Sequence, residues 1–296
     1  MESGTESAPE QRLLEARLAH LDASLRELGS VVVAFSGGAD SAFLLAAAVR
    51  ALGPSRVVAA TALSASLPAA ERDPAADLCR SLGVRHLTPT THEMDRAGYR
   101  ANAGDRCYFC KAELVEVLIP LAARLGMAAV ATGTNADDAV AGFRPGIRAA
   151  FERGARTPLL DAGLSKAQVR EASRHWGLPT WDKPAAACLS SRIAYGIEVT
   201  PARLSRVERA EVAVRDVLFS HEMWSANVRV RDLGDRGRIE LDREVVAALA
   251  GDEEVSGVLL DAVRAAGFAE PFIDPAGFRS GAMNELLAPG AVTADL

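Results

Sequence analysis

The chain has 296 residues, 49% hydrophobic and 24% charged, with a formal net charge of −6. That length gives one large or two medium domains with a sizeable core, in the composition of an ordinary soluble globular protein. The negative balance argues against a general nucleic-acid binder, and no run of about 18 apolar residues offers a membrane span. The polar, acidic N-terminus lacks the layout of a secretory signal. A cytoplasmic, reducing location is therefore expected, where the four cysteines serve chemistry or metal binding rather than disulfides.

Residues 1–10 read as a disordered tail, and 11–28 carry Leu at helical spacing. Strand and helix then alternate: strand 31–35, helix 41–52, strand 56–62, helix 69–82 and strand 84–87. Helix 110–125, strand 128–133 and a capped helix from Ser165 to Gly177 follow. Such alternation predicts an α/β fold, a doubly wound parallel sheet with ligands beyond the carboxyl ends of its strands. From Pro201 the pattern changes: a charged helix to about 218, strands at 227–231 and 238–241, helices near 243–250 and 253–266, and a strand at 272–273. Expected are a tail and helix (1–28), a nucleotide-binding domain (29–198) and a smaller C-terminal α+β domain (199–296) for substrate or oligomerisation.

The most informative stretch is Val31–Phe35 followed by Ser36-Gly37-Gly38-Ala39-Asp40-Ser41. A strand feeding a Gly-rich turn that opens a helix is a phosphate cradle. Ser36 and Ser41 add hydroxyl donors. Asp40 would repel an anion unless a cation sits between, which points to Mg²⁺ on a nucleotide phosphate. No Gly-Lys-Ser/Thr is present, so this is not a Walker A loop. The hexapeptide resembles the SGGxDS loop of the PP-loop ATPases, which split ATP into an adenylated substrate and pyrophosphate.

Cys107 and Cys110 form a Cys-x-x-Cys at a loop-to-helix junction, flanked by Arg106 and Lys111. A redox pair, a zinc half-site and two iron–sulfur ligands all remain open. Cys188 stands in a loop between Lys183 and Arg192, which favour thiolate. Cys79 falls in an apolar helical pattern and reads as a core thiol.

Several blocks in order resemble the LarE family, ATP-dependent sulfur transferases that build the thiocarboxylates of the nickel-pincer cofactor of lactate racemase. They are Ser36–Ser41, Asp105–Lys111, Gly133–Asp138, Phe143–Gly146, Trp181–Pro184, Ala187–Arg192, Tyr195-Gly196 and Gly277–Gly281. The resemblance spans about residues 29–284. It implies adenylation of a carboxylate of a pyridinium biscarboxylate mononucleotide, after which sulfur displaces AMP. Ser36, Gly37, Gly38, Asp40 and Ser41 would hold pyrophosphate and Mg²⁺, and Ser64, Gly133, Asn135 and Asp138 the rest of the ATP. Asp137 and Asp138 orient nucleotide or metal, or simply cap the next helix.

Cys188 matches the sulfur-giving cysteine of single-cysteine members, which becomes dehydroalanine. Cys107 and Cys110 depart from that pattern. With Cys188 they match a three-cysteine branch associated with a [4Fe-4S] cluster, in which the enzyme turns over. Arg192, Arg229 and Arg231 would clamp the substrate phosphate, the alternative for the strand pair being a solvated arginine face. Lys183 belongs to the same substrate group. Phe109 or Tyr108 stacks on the pyridinium ring or lies in the core, and Glu211 and Glu240 resemble acidic positions near substrate or metal. Thr132 stands where an acidic residue is expected. Family members form trimer-based hexamers, which implies a homo-oligomer. A tRNA-thiolating enzyme, an amide-forming ligase and a non-enzymatic nucleotide sensor are the competing classes. The net charge opposes the first, and the Lys183–Arg192 loop opposes the last.

Overall fold

The computed structural model describes residues 7–140, 144–184, 188–279 and 283. Phe143, Ala187 and Ser280-Gly281, parts of the motif blocks above, lie outside them. The chain divides into two compact units, one comprising 1–64, 69–93 and 107–186, the other 65–68, 94–106 and 187–296. The sequence suggested one cut near 198. The units are instead assembled from non-contiguous stretches, because short segments around Ser66 and Tyr99–Arg106 make their hydrogen bonds with residues 188–199.

The first unit holds α1 (Ser7–Leu28), β1 (Val31–Ala34), α2 (Ala39–Leu52), β2 (Val57–Ala60), α3 (Arg72–Ser81) and β3 (Arg85–Leu87). After α4 (Ala97–Arg100), which belongs to the second unit, come α5 (Arg106–Arg124), β4 (Ala129–Thr132), α6 (Ala136–Val140), α7 (Pro145–Glu152), α8 (Pro158–Asp161) and α9 (Lys166–His175). Residues 7–10, expected in the tail, already lie in α1. The strands form an all-parallel sheet in the order β3-β2-β1-β4, with Val31 opposite both Val57 and Ala129.

Alternate residues of β1 serve two cores. Val31 and Val33 pack with Leu21, Leu25 and Phe43, whereas Val32 and Ala34 pack with Val58, Leu118 and Val130. Burial on both faces explains the unbroken apolar run, since a parallel strand covered by helices has no solvent side. Each fully buried Leu or Phe contributes about 1.5–3 kcal/mol. Cys79 is buried in the first core, as expected, and burial pushes its thiol up to about 11. The capped start of α9 also forms: Ser165 and Gln168 bond reciprocally to each other's backbone N–H.

The second unit holds α10 (Pro201–Ser220), β5 (Arg229–Asp232), β6 (Arg236–Glu240), α11 (Arg243–Ala250), α12 (Glu253–Ala265) and β7 (Glu270–Ile273). β5 pairs antiparallel and β7 parallel with the central β6. Gly237 in β6 seats the Phe268 ring, where a Cβ would come within 2.8 Å of Cγ. Among the described residues no helix is long and apolar enough to cross a membrane.

Candidate active site

The order β3-β2-β1-β4 reverses direction at β1, so the sheet's switch point lies between β1 and β4. A parallel sheet opens its ligand crevice there, beyond the strand carboxyl ends. Two of the expected segments, Ser36–Ser41 after β1 and Gly133–Asp138 after β4, meet at that place. Gly133 approaches the start of α2 so closely that a Cβ would lie 2.8 Å from the Ser41 nitrogen and 3.0 Å from the Asp40 carbonyl carbon. Only glycine fits this contact.

Inside the loop, Gly37 takes φ +74°, in the left-handed region. Ser41 Oγ donates to the Gly38 carbonyl (3.1 Å) and lies 3.2 Å from Ser36 Oγ. Ser36 N donates to Ser41 Oγ at 3.3 Å, and Gly38 N reaches Ser36 Oγ at 3.5 Å. The hydroxyls thus brace the turn whose N–H groups open α2, and the positive end of that helix favours an anion.

Asp40 sits in the first turn of α2 with Oδ1 buried and without a hydrogen-bond partner. Burial pushes its carboxyl above the usual carboxylate range. Lys166 opposes the shift, nearby Asp138 adds to it, and Asn135 and Arg170 oppose it. A buried, unsatisfied oxygen beside a second carboxylate is a poor arrangement by itself and a good donor set for a hard cation, so the residues fit Mg²⁺. Asp138 and Asn135 also cap α6, Asp138 Oδ2 accepting from Asn135 N and Asn135 Oδ1 from Asp138 N. Asp137 accepts from Lys166 N at the start of α9. Of the two roles open for these aspartates, capping is therefore occupied in the structure. Thr132 is buried with its hydroxyl 3.1 Å from that of Thr134. Ser64 is half-buried beyond β2, next to the Leu63–Thr90 bridge.

Lys183 reaches this loop too. Its Nζ donates to the Gly37 carbonyl (3.0 Å) and to Glu71 Oε2 (2.5 Å). Glu71 drew no attention in the sequence, because a lone carboxylate in a helical pattern reads as solvated surface.

Cys107 and Cys110 lie one turn apart at the start of α5, Cys107 exposed and Cys110 half-buried. The helix begins at Arg106, earlier than expected, so both thiols ride on it. Gly146 packs on the Cys107 carbonyl, where a Cβ would come to 3.2 Å. Tyr108 donates to Glu152 and carries Arg148 and Arg153 on its ring, so its aromatic surface is already engaged by cations. Half-buried Phe109 meets Tyr108 edge-on. Among the described residues no group of three or more His, Cys, Asp or Glu side chains is gathered as a metal site.

In the second unit Cys188 is half-buried and precedes a short 3₁₀ turn, Leu189–Arg192. Its carbonyl accepts from Ser191 N (3.0 Å), Ser191 Oγ (2.7 Å) and Arg192 Nη1 (3.0 Å). Buried Asn102, at φ +52°, donates to the Ala194 and Ile197 carbonyls, and Arg106 donates to the Ser190 carbonyl. The cysteine loop is therefore fixed at its base by residues nearly ninety positions upstream, a tie that has no local sequence signal.

The arginines expected to clamp a phosphate are buried, which corrects the alternative of a solvated face. Arg192 makes a two-pronged pair with Glu211 (2.8 and 3.3 Å), and Arg231 pairs with Glu240 (2.7 and 2.9 Å). The two glutamates expected near substrate or metal thus hold arginines in place. Arg238, not singled out from sequence, lies 2.9 Å from Glu240. Burial, and then the nearby Arg192 and Arg231, push the Arg229 guanidinium down to about 10 despite Glu211. The side chains of Arg192, Arg229 and Arg231 and of Glu211 and Glu240 are all buried, and guanidiniums so held are pre-aimed donors for an anionic ligand.

A parallel α/β sheet with an SGGxDS loop at its switch point is the PP-loop type of nucleotide-binding fold. No family model matches the chain. A pyridinium-3,5-bisthiocarboxylic acid mononucleotide synthase of Lactiplantibacillus plantarum is 34% identical over 275 residues, 93% of this chain and 96% of that protein. An uncharacterized protein of Synechocystis sp. is 41% identical over 275 residues, 93% and 99% of the two chains. One from Methanocaldococcus jannaschii is 27% identical over 154 residues, 52% and 58%. The chain belongs to the LarE family of sulfur transferases.

Proposed function

We propose that this protein is an ATP-dependent sulfur transferase acting on a pyridinium-3,5-biscarboxylate mononucleotide. A substrate carboxylate oxygen attacks the α-phosphorus of ATP and pyrophosphate leaves. The Cys188 sulfur then attacks the activated carbonyl carbon and AMP departs, giving a thioester; loss of the Cys188 Cα proton and cleavage of its Cβ–S bond release the thiocarboxylate and leave dehydroalanine. The observation that carries this reading is the buried, unpartnered Asp40 oxygen beside the braced Ser36–Ser41 loop at the switch point. Ser36, Gly37, Gly38 and Ser41 bind the pyrophosphate, Asp40 its Mg²⁺, and Ser64, Gly133, Asn135 and Asp138 the remainder of the nucleotide.

In the second unit, Arg192, Arg229 and Arg231 bind the substrate phosphate. Phe109 is the remaining candidate to stack on the ring. Cys188 delivers the sulfur. A second reading, in which Cys107, Cys110 and Cys188 ligate a [4Fe-4S] cluster, is favoured by the thiol pair on α5. Thiolate donors suit such a cluster, and three ligands leave one iron open to carry sulfide. A cytoplasmic homo-oligomer belongs to the same proposal, supported by the exposed Val212, Phe219, Trp224 and Val258.

Pyrophosphate release tests the reaction. It is expected with pyridinium biscarboxylate mononucleotide and absent with tRNA or with ammonia plus simple carboxylates. Release with tRNA instead would refute the proposal. Intact-mass and iron analysis of protein purified without oxygen separates the sulfur sources: sulfur lost from Cys188 after one turnover, or iron and sulfide lost in Cys107→Ala.

A further inference from the structure

The Gly37–Gly38 peptide is the most easily turned unit in the nucleotide loop, because neither flanking residue has a Cβ to restrain it. A trans peptide points its C=O and the next N–H in opposite directions. Fixing the Gly37 carbonyl therefore fixes where the Gly38 N–H points. The Gly38 N–H makes only a long, 3.5 Å approach to Ser36 Oγ on the loop's anion side, and a flipped peptide would put a carbonyl oxygen there in place of that donor. The structure provides the restraint: Lys183 Nζ donates to the Gly37 carbonyl at 3.0 Å. Lys183 is itself held, at its head by Glu71 Oε2 (2.5 Å) and at its backbone by Arg170, which donates to its carbonyl at 2.8 Å. Both partners of the ion pair are about four-fifths shielded from water, so the pair is weakly screened. Gly37 is seated against α3, whose N-cap is Glu71, a Cβ there falling 3.6 Å from that of Ala75.

We propose that Glu71, acting through Lys183, holds the Gly37–Gly38 peptide in its anion-binding orientation and is a positioning residue for the pyrophosphate end of ATP. This rests on the ATP reading above. The sign of its effect is the diagnostic. Removing a carboxylate near an anion site ordinarily strengthens anion binding, since a repulsive charge is gone. A positioning carboxylate does the reverse, because its loss releases the lysine and the peptide.

The test measures magnesium pyrophosphate and AMP affinity of the full-length wild type, Glu71→Ala, Glu71→Gln and Lys183→Met by calorimetry. Glu71→Ala and Lys183→Met are expected to weaken pyrophosphate about tenfold, the effect of misaiming a hydrogen bond to a charged group, while AMP affinity stays unchanged. Glu71→Gln keeps an acceptor for Nζ and gives an intermediate loss. It also carries the test if the alanine variant does not fold. Unchanged or tighter pyrophosphate binding in the Glu71 variants overturns the inference, as does equal weakening of AMP. A wild type that binds no pyrophosphate would remove the ATP reading and the inference with it.

Discussion

The nucleotide loop and the arginine cluster handle charge in opposite ways. The first is built from backbone: glycines, two hydroxyls and a helix N-terminus, with one buried carboxylate oxygen left unmatched. The second is built from long side chains: Arg192 grips both oxygens of Glu211, and Arg231 gives two N–H groups to Glu240 Oε2, while Glu240 Oε1 is buried without a hydrogen bond and has Arg238 2.9 Å away. Backbone donors cost little to bury, since they are already dipoles of the fold, but they depend on conformation. Buried guanidiniums depend on their partners and carry a standing desolvation cost. One site is therefore sensitive to geometry and the other to charge.

The sharpest break between the two regions is chemical. Cys188→Ala is expected to lower thiocarboxylate formation by about three orders of magnitude or more, the scale seen on removing a nucleophile. ATP-dependent pyrophosphate release for the first adenylation should persist. Mass spectrometry of the product and a pyrophosphate assay check the two halves, and loss of both would join the two regions into one unit of function.

Gly133→Ala tests the geometric side. Its methyl would press on Ser41 and Asp40 backbone, so the loop must shift. A cost of about 1–3 kcal/mol in stability and a fall of about tenfold to a hundredfold in kcat/KM for ATP are expected, by denaturation and steady-state kinetics. Arg229→Met tests the charge side. It removes a buried guanidinium that donates to the Val228 carbonyl at 2.8 Å, and mononucleotide affinity is expected to fall about tenfold while pyrophosphate affinity stays unchanged, both read by calorimetry. Equal weakening of the two ligands would mean that Arg229 is structural cement rather than a ligand arm.

The smallest effect lies just beyond the paired ends of β5 and β6. Asp242 is held below the usual carboxylate range: burial works against this, and bonds from Asn227, Ser225 and Ala226 prevail. Because its folded pKa is the lower one, its contribution is fully present above the unfolded value and is lost as pH falls through the folded value. Asp242→Ala should therefore cost about 1 kcal/mol at neutral pH. The difference from wild type should begin to shrink as pH falls below the free carboxylate value and should vanish only below the lower, folded value, as followed by urea titration.

Much of this was legible in the chain itself. The run Val31–Phe35 with Ser36–Ser41 announced a strand, a cradle and a helix, since a period, two glycines and a cap are local properties. Ser165 marked its helix start in the same way, whereas Cys107 and Cys110, expected at a loop-to-helix junction, both lie on α5. Short helices such as α6 and α8 left too few residues for a period to register. Only the fold placed Gly133 against Ser41, because the strand order that brings β4 beside β1 is a matter of pairing, which no local pattern encodes. It also decided that Arg229 and Arg231 are buried, that Glu211 and Glu240 hold arginines, and that Glu71, Lys183 and Gly37 meet from three separate segments. Residues speak for themselves where the chain's own neighbours set their geometry, and charge pairs closed across tens of residues exist only once burial has made them worth closing.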